Sequence, residues 1–428
     1  MSDAEANDAE KTQGHRLAFA DQLSAELERL DRAGLRRTIR SLASGPGAVV
    51  DVDGREVLLL ASNDYLGLAG HQEVVDAAVR AATRLGVGSG SARLVTGGLR
   101  LHEELEAGLA ALKGTEDAVL FSSGYLANLG TISSLVGPGD AVFCDFANHA
   151  SIVDGARLSR ASLHFYRHGD GSHLDGLLTR LRRERDRRAG EDRGGSTRAA
   201  RRILVVTDSV FSMDGDLAPL PQLVEICERH GALLMVDEAH ATGVVGPEGR
   251  GAIAHFQLEG RVPVVMGTLS KALGSAGGFV AGDRLLCDVL RNRARTFIYD
   301  TALSPPATAA ALQALRVLAR EPARPARVLR LARALASALS EAGYDVLAPA
   351  AAIVPVIVGD AAAASDLAER LLELGILVPA IRPPTIPRGT ARLRATMMAS
   401  HSDAHLAQAV DAFRTARAGA PRGVGPSR

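Results

Sequence analysis

Of the 49 basic residues in this 428-residue chain only three are lysines, Lys11, Lys113 and Lys271. Where arginine supplies positive charge, a lysine can mark a place that needs an amine able to lose its proton, which a guanidinium cannot do. Lys11 lies in a polar stretch. Lys113 ends a helix-like run, LHEELEAGLAALKG, where a cation complements the C-terminal dipole. Lys271 stands among small and apolar residues in VVMGTLSKALGSAGG, where desolvation would lower its pKa. Composition alone leaves an exposed loop lysine equally open. The other candidates follow short apolar runs. AVLF (118–121) precedes SSGYLAN, a glycine-containing turn into a helix, and the free N–H groups of a helix start form a phosphate site. AVFCD (141–145) leads to His149, and ILVVTDSV (203–210) to Ser212. ALLMVDEA (232–239) brings Asp237 and then His240. VPVVMGT (262–268) delivers Thr268 and then Lys271. Singly these are unremarkable: a capped surface histidine, a salt bridge or helix cap at Asp237-Glu238, turn residues at Ser212 and Thr268. Together they are a strand-end acid, a lysine 34 positions later (271 − 237) and a phosphate-type helix start upstream. That set suits pyridoxal 5'-phosphate (PLP): the lysine attaches the cofactor, and the acid keeps its pyridine nitrogen protonated so the ring accepts electrons.

The elements that must position these groups alternate. HQEVVDAAVRAATRLG and LHEELEAGLAALKG have helical period, and between residues 71 and 300 such segments alternate with the apolar runs, including LHFY (163–166). Nearly continuous apolar runs fit strands buried on both faces of a mainly parallel sheet, and the alternation implies an α/β layer fold. In such sheets ligands bind beyond the carboxyl ends of the strands, where all five clusters fall. Residues 16–45 read as an amphipathic helix, followed by a hairpin turning at Asp53-Gly54. After the break at Ser304-Pro305-Pro306 come two long Ala/Leu/Arg helices. Then come strand (AIVPVIV), helix (ASDLAERLLELG), strand (ILVPAI), strand (ARLRATMM) and helix. The expected divisions are a disordered tail (1–15), an N-terminal helix and hairpin (16–60), a large domain (61–303), a smaller C-terminal α+β domain (304–418) and a loose tail (419–428).

Composition bounds the rest. Hydrophobic residues at 46% and charged residues at 23% describe an ordinary globular chain. The formal net charge is zero, so no nucleic-acid or membrane surface is expected. There is no apolar run of about 18 residues and no secretory h-region. Cys144, Cys227 and Cys287 are widely spaced in apolar segments; they read as three buried thiols in a cytoplasmic protein. RLRRERDRRAGEDRGGSTRAARR (180–202) reads as a solvated helix end and exposed loop. GVGSGSARLVTGG lacks the third glycine of a dinucleotide fingerprint, because Ser91 stands in its place. His164, His168 and His173 have no carboxylate or cysteine at ligand spacing, so no metal site is expected.

SNDYLGL (62–68), SGYLAN (123–128), NHAS (148–151), DSVFSMDGDLAPL (208–220), VDEAHATG with the following VG and GRG (236–251), and GTLSKALG (267–274) together resemble the α-oxoamine synthase family of fold-type-I PLP enzymes. The resemblance covers nearly the whole chain and implies that family's α/β fold, a mainly parallel sheet in a large domain plus a smaller C-terminal domain. It implies three catalytic residues, Lys271 as the lysine that attaches PLP, Asp237 as pyridinium partner and His149 stacked on the ring. It implies that His240 bonds the cofactor's phenolic oxygen. Ser212, Thr268 and the backbone of Gly124 and Tyr125 would hold the cofactor. Thr301 would reach the phosphate of a neighbouring subunit, implying a homodimer. Arg36, Asn63, His149, Thr385 and Arg394 would meet substrate, with Arg37 an alternative to Arg36. Within the family, AIRPPTIPRGTARLR (380–394) resembles members that condense L-alanine with a pimeloyl thioester carried by CoA or acyl-carrier protein. Arg392 and Arg394 would share one face of a strand, so spacing does not choose between them, and the resemblance favours Arg394. The nearest rival is a sister activity joining glycine to acetyl-CoA. A non-catalytic partner subunit of the same fold is a rival of another class, and the presence of Lys271, Asp237 and His149 speaks against it.

Overall fold

The computed structural model describes residues 19–32, 35–37, 39–191 and 202–418. The tails expected at 1–15 and 419–428, Lys11, and the 192–201 part of the arginine-rich stretch lie outside them. The strands are numbered in chain order: β1 (Val49–Val52), β2 (Arg55–Leu59), β3 (Asp117–Phe121), β4 (Ala141–Asp145), β5 (Ser162–Tyr166), β6 (Ile203–Asp208), β7 (Leu233–Asp237), β8 (Val264–Thr268), β9 (Gly278–Gly282), β10 (Asp345–Val346), β11 (Ile353–Gly359), β12 (Ile376–Leu377), β13 (Ala380–Ile381) and β14 (Ala391–Thr396).

The central sheet has seven strands in the order β3-β9-β8-β7-β6-β4-β5. Neighbours from β5 through β8 are parallel, and β9 runs antiparallel to both β8 and β3. Every residue of β4, β6, β8 and β9 is buried, which is why β4, β6 and β8 read as nearly continuous apolar runs. Alternate side chains supply two separate cores. Phe143, Val205, Leu234 and Val265 face one layer of helices, and Val142, Cys144, Val206, Met235 and Met266 the other. β9 was not among the expected strands, because GFVAG carries a glycine at each end. The structure supplies the reason: a Cβ at Gly278 would stand 2.6 Å from the backbone N of Gly124. The glycine lets the start of helix Gly124–Leu135 lie directly over the sheet.

The hairpin turns at Asp53 (φ 52°) and Gly54 (φ 79°), the positive angles for which Asp-Gly is suited. β2 also pairs in parallel with β12, so the hairpin shares a three-stranded sheet with the C-terminal region. The amphipathic helix expected over 16–45 is described only for 19–32; residues 35–37 and 39–46 are not helical. Gly34 and the β-branched Thr38 and Ile39 weaken helix there. ILVPAI, expected as one strand, divides into β12 and β13 in different sheets. Pro379 between them has no N–H to give a ladder. β10, β11, β14 and β13 form an antiparallel sheet in that order. Helix Pro305–Arg320 packs on helices Gln72–Leu85 and Arg100–Lys113.

The three cysteines are free and buried. Among the described residues no helix is long and apolar enough to cross a membrane, and no group of three or more acidic, histidine or cysteine residues could hold a metal. His164 stacks on Phe143, and His168 bridges Asp145 and Asp216 at 3.0 and 3.1 Å. Lys113 ends its helix as expected, but it is no solvent-facing dipole partner. Its side chain is buried and bonded to Glu238.

Candidate active site

Parallel strands release their carboxyl ends on one edge, and the chemistry gathers there. Asp208 and Asp237, the last residues of β6 and β7, stand in register. Asp237 is buried; its Oδ2 accepts from Asn128 Nδ2 and its Oδ1 from the Ala239 N–H, each at 2.8 Å. Both donors are neutral, and among the described residues no cation lies within ion-pair distance of this carboxylate. Burial and the neighbouring Asp237 charge push the Asp208 carboxyl well above its usual range. The Asp208 carboxylate accepts the His149 N–H at 2.8 Å. Asn148, in the segment after β4, holds the end of β6 by donating to Val206 O and accepting from the Asp208 N–H.

Lys271 follows β8, and its Nζ lies 2.9 Å from His240 Nε2. Burial lowers this amine to about 8, while Asp237 and Asp208 oppose the shift. His240 is buried, and burial together with the Lys271 charge holds its imidazole well below the usual value, so the ring is neutral. Its Nδ1 meets the Tyr65 hydroxyl at 2.6 Å. His149 caps helix Ala150–Ser159, with Nδ1 2.7 Å from Ser151 Oγ. The residue is exposed, yet the protein packed around it is close enough that burial still lowers its pKa.

Arg394 on β14 is buried. Its guanidinium donates to Ser212 O, to Asn63 Oδ1 at 3.2 Å and to Tyr65 Oη at 3.3 Å, all neutral oxygens. Arg392, equally buried, is ion-paired with Asp214. Helix Gly124–Leu135 starts beside this cluster with Ser123 as its cap. A Cβ at Gly124 would come within 3.1 Å of Met266 Cε and 3.4 Å of Thr268. The Gly124 and Tyr125 N–H groups have no intrahelical acceptor. Thr268 Oγ1 bonds Ser270 Oγ and Gly277 O. Thr301 is exposed nearby, its carbonyl accepting from Ser122 Oγ at 3.2 Å.

Most of the expected residues thus converge. Arg36 does not: it is exposed and paired with Asp31 at 2.6 Å. Thr385 is exposed on the turn between β13 and β14, its N–H bonded to Arg382 O. The Tyr125 hydroxyl donates to Asp154 at 2.5 Å. Sequence reasoning missed Tyr65, Asn128 and Asp208. All three lay inside the quoted motifs, and Asn128 stands four residues after Gly124, on the same helix face.

The donor set fits PLP. Among the described residues the buried Asp237 carboxylate has no cation, which asks for a pyridinium, and the Asn128 side-chain Oδ1 beside it is buried with no partner. A lysine lowered to about 8 can form an imine near neutrality. A helix start with open N–H groups and a backbone cradle suits a phosphate.

The aminotransferase class I and II family model matches residues 55–413. The 8-amino-7-oxononanoate synthase of Anaeromyxobacter dehalogenans is 52% identical over 398 residues, 93% of this chain and 95% of the relative. The chain belongs to the α-oxoamine synthase family. The enzyme of the same name from Geobacter sulfurreducens is 49% identical, covering 94% of this chain and 99% of its own. Among solved structures, Sphingomonas wittichii serine palmitoyltransferase superposes with a TM-score of 0.85 at 34% identity, covering 94% of this chain and 98% of that one. The 8-amino-7-oxononanoate synthase of Francisella tularensis gives 0.69 at 28% identity, over 84% and 97% of the two chains. As an α-oxoamine synthase the protein is a PLP-dependent acyltransferase of fold type I.

Proposed function

We propose that the protein joins L-alanine to a pimeloyl thioester, giving 8-amino-7-oxononanoate, carbon dioxide and the free thiol carrier, an acyl-transfer step of biotin synthesis. One observation carries the reading. A lysine lowered to about 8 lies 2.9 Å from a neutral histidine, beside a buried guanidinium with no carboxylate partner among the described residues. That is amine chemistry next to a seat for an amino-acid carboxylate. The acyl group follows from the relatives, which carry the synthase's name at about half identity.

When bound, PLP supplies an electron sink for the pair left on Cα. Asp237 would hold the positive end of that sink, fixed by Asn128 and the Ala239 N–H. Neutral His240, oriented by Tyr65, would offer a hydrogen bond without adding charge. Gly124, Tyr125, Ser212, Thr268 and His149 would line the seat, and Thr301 of a neighbouring subunit would complete it in a homodimer. Arg394, with Asn63, would grip the alanine carboxylate and orient the Cα–H bond. Lys271 would take the Cα proton and later return one. In the net reaction a bond forms between alanine Cα and the thioester carbonyl. The thiolate leaves, the bond to the carboxylate breaks as carbon dioxide departs, and a proton returns to Cα. A cytoplasmic setting goes with three unpaired buried thiols.

The test is product identification by mass spectrometry, with L-alanine or glycine against acetyl, pimeloyl and longer thioesters on CoA and on acyl-carrier protein. Alanine with pimeloyl thioester should give the dominant product. Preferential turnover of glycine with acetyl-CoA would assign the sister activity instead.

A further inference from the structure

The stretch from Val236 to Gly251 holds more than the site uses. Asp237 and His240 face the cofactor seat, whereas Glu238, Thr242, Gly243, Gly249 and Gly251 have no part in the chemistry. Glu238 and Thr242 bond Lys113, and Gly251 packs on Glu238. Its Nζ donates to Glu238 Oε2 at 2.6 Å, to Thr242 Oγ1 at 2.8 Å and to Arg250 O at 2.8 Å. Glu238 is completely buried; its other oxygen accepts the Ile253 N–H at 2.8 Å. Of these glycines, Gly251 leaves room for Glu238, and Gly249 lets the chain lie close against Gly243. A Cβ at Gly251 would stand 2.2 Å from Glu238 Oε2, and one at Gly249 would stand 2.8 Å from the Gly243 backbone.

Glu238 and Thr242 are the two ends of one helical turn, with the Thr242 N–H bonded to Glu238 O at 2.8 Å. Between those ends lie the Ala239 N–H that holds Asp237 and the His240 ring that meets Lys271. We propose that Lys113 is a positioning residue of the active site: its ammonium staples the 238–242 turn at both ends and so sets Asp237 and His240. The consequence for catalysis rests on the PLP reading above. A tetrahedral ammonium sends three donors in three directions, whereas a guanidinium confines its donors to a plane. This accounts for a lysine where the chain otherwise uses arginine.

Removing one charge alone leaves the other buried without a partner and destabilises the whole fold. The test therefore uses the double variant Lys113→Met with Glu238→Gln, and separately Thr242→Val, which removes one acceptor and keeps the ion pair. The first readout is the 15N-histidine NMR spectrum of full-length protein stripped of cofactor. The second is the pH titration of the visible absorption after PLP is added, and the third is kcat against KM. We expect folded variants whose His240 resonances shift or broaden and whose cofactor titration midpoint moves. kcat should fall on the order of 10-fold to 100-fold, with KM for alanine little changed. Unaltered His240 signals and titration midpoint in a folded variant, with only Tm lowered, would overturn the proposal. If the double variant does not fold, Thr242→Val decides by the same readouts. If the parent takes up no PLP, the cofactor reading fails, while the histidine spectrum still decides the staple.

Discussion

Arg392 and Arg394 leave β14 two residues apart, and their guanidinium groups are committed differently. Arg392 is spent on Asp214, while Arg394 meets only neutral oxygens among the described residues. The residue spacing held no trace of this, because the deciding partner, Asp214, comes from a distant loop. Arg394→Lys keeps the charge but loses the planar fork. It should weaken L-alanine binding and slow exchange of the alanine Cα–H into D2O, on the order of 10²-fold. Arg392→Lys should lower Tm with little effect on exchange. The reverse pattern, read by NMR, would give the carboxylate seat to Arg392. Lys271 offers a pH test. With its amine lowered to about 8, acetylation of Lys271 in cofactor-free protein should rise with pH through about 8, well below the ordinary lysine value of about 10.4. The Asp237 and Asp208 charges favour the ammonium, so Asp237→Asn should move that midpoint lower still. A midpoint near the ordinary value would mean that the amine is solvated. In the loaded enzyme Asp237→Asn should cost on the order of 10²-fold or more in kcat.

At the scale of elements, the strand ends were legible because buried parallel strands announce themselves as apolar runs, and the residues after them face the ligand edge. What escaped was set by contact between elements. β9 reads as a loop until the start of helix Gly124–Leu135 is seen against Gly278. Lys113 reads as a surface helix end until Glu238 arrives 125 positions later. His168 is a third case. It joins Asp145 at the end of β4 to Asp216, near Ser212, and these two carboxylates raise its pKa to about 10 despite partial burial. A folded value above the unfolded one of about 6.5 means the stabilisation is complete below about 6.5 and is lost as pH rises through about 10. His168→Gln should therefore lower Tm at pH 6 and have a much smaller effect above pH 10. Equal effects at both pH values would show that the ring acts through packing on Phe211 and not through charge.

At the scale of the whole molecule, the exposed Thr301 beside Ser122 makes sense if a second copy brings it to a neighbouring cofactor seat. Sedimentation should show a dimer, and Thr301→Ala should loosen PLP retention without altering the alanine seat. A fully active monomer would remove Thr301 from the site. The chain's sparing use of lysine makes the central claim unusually easy to check. Only Lys11, Lys113 and Lys271 carry side-chain amines, and Lys113 has all three of its donors engaged. Purified protein loaded with PLP should be yellow, and borohydride reduction followed by peptide mapping should place the fixed cofactor on Lys271. A label on Lys11 or Lys113, with Lys271 unmodified, would contradict the site built here.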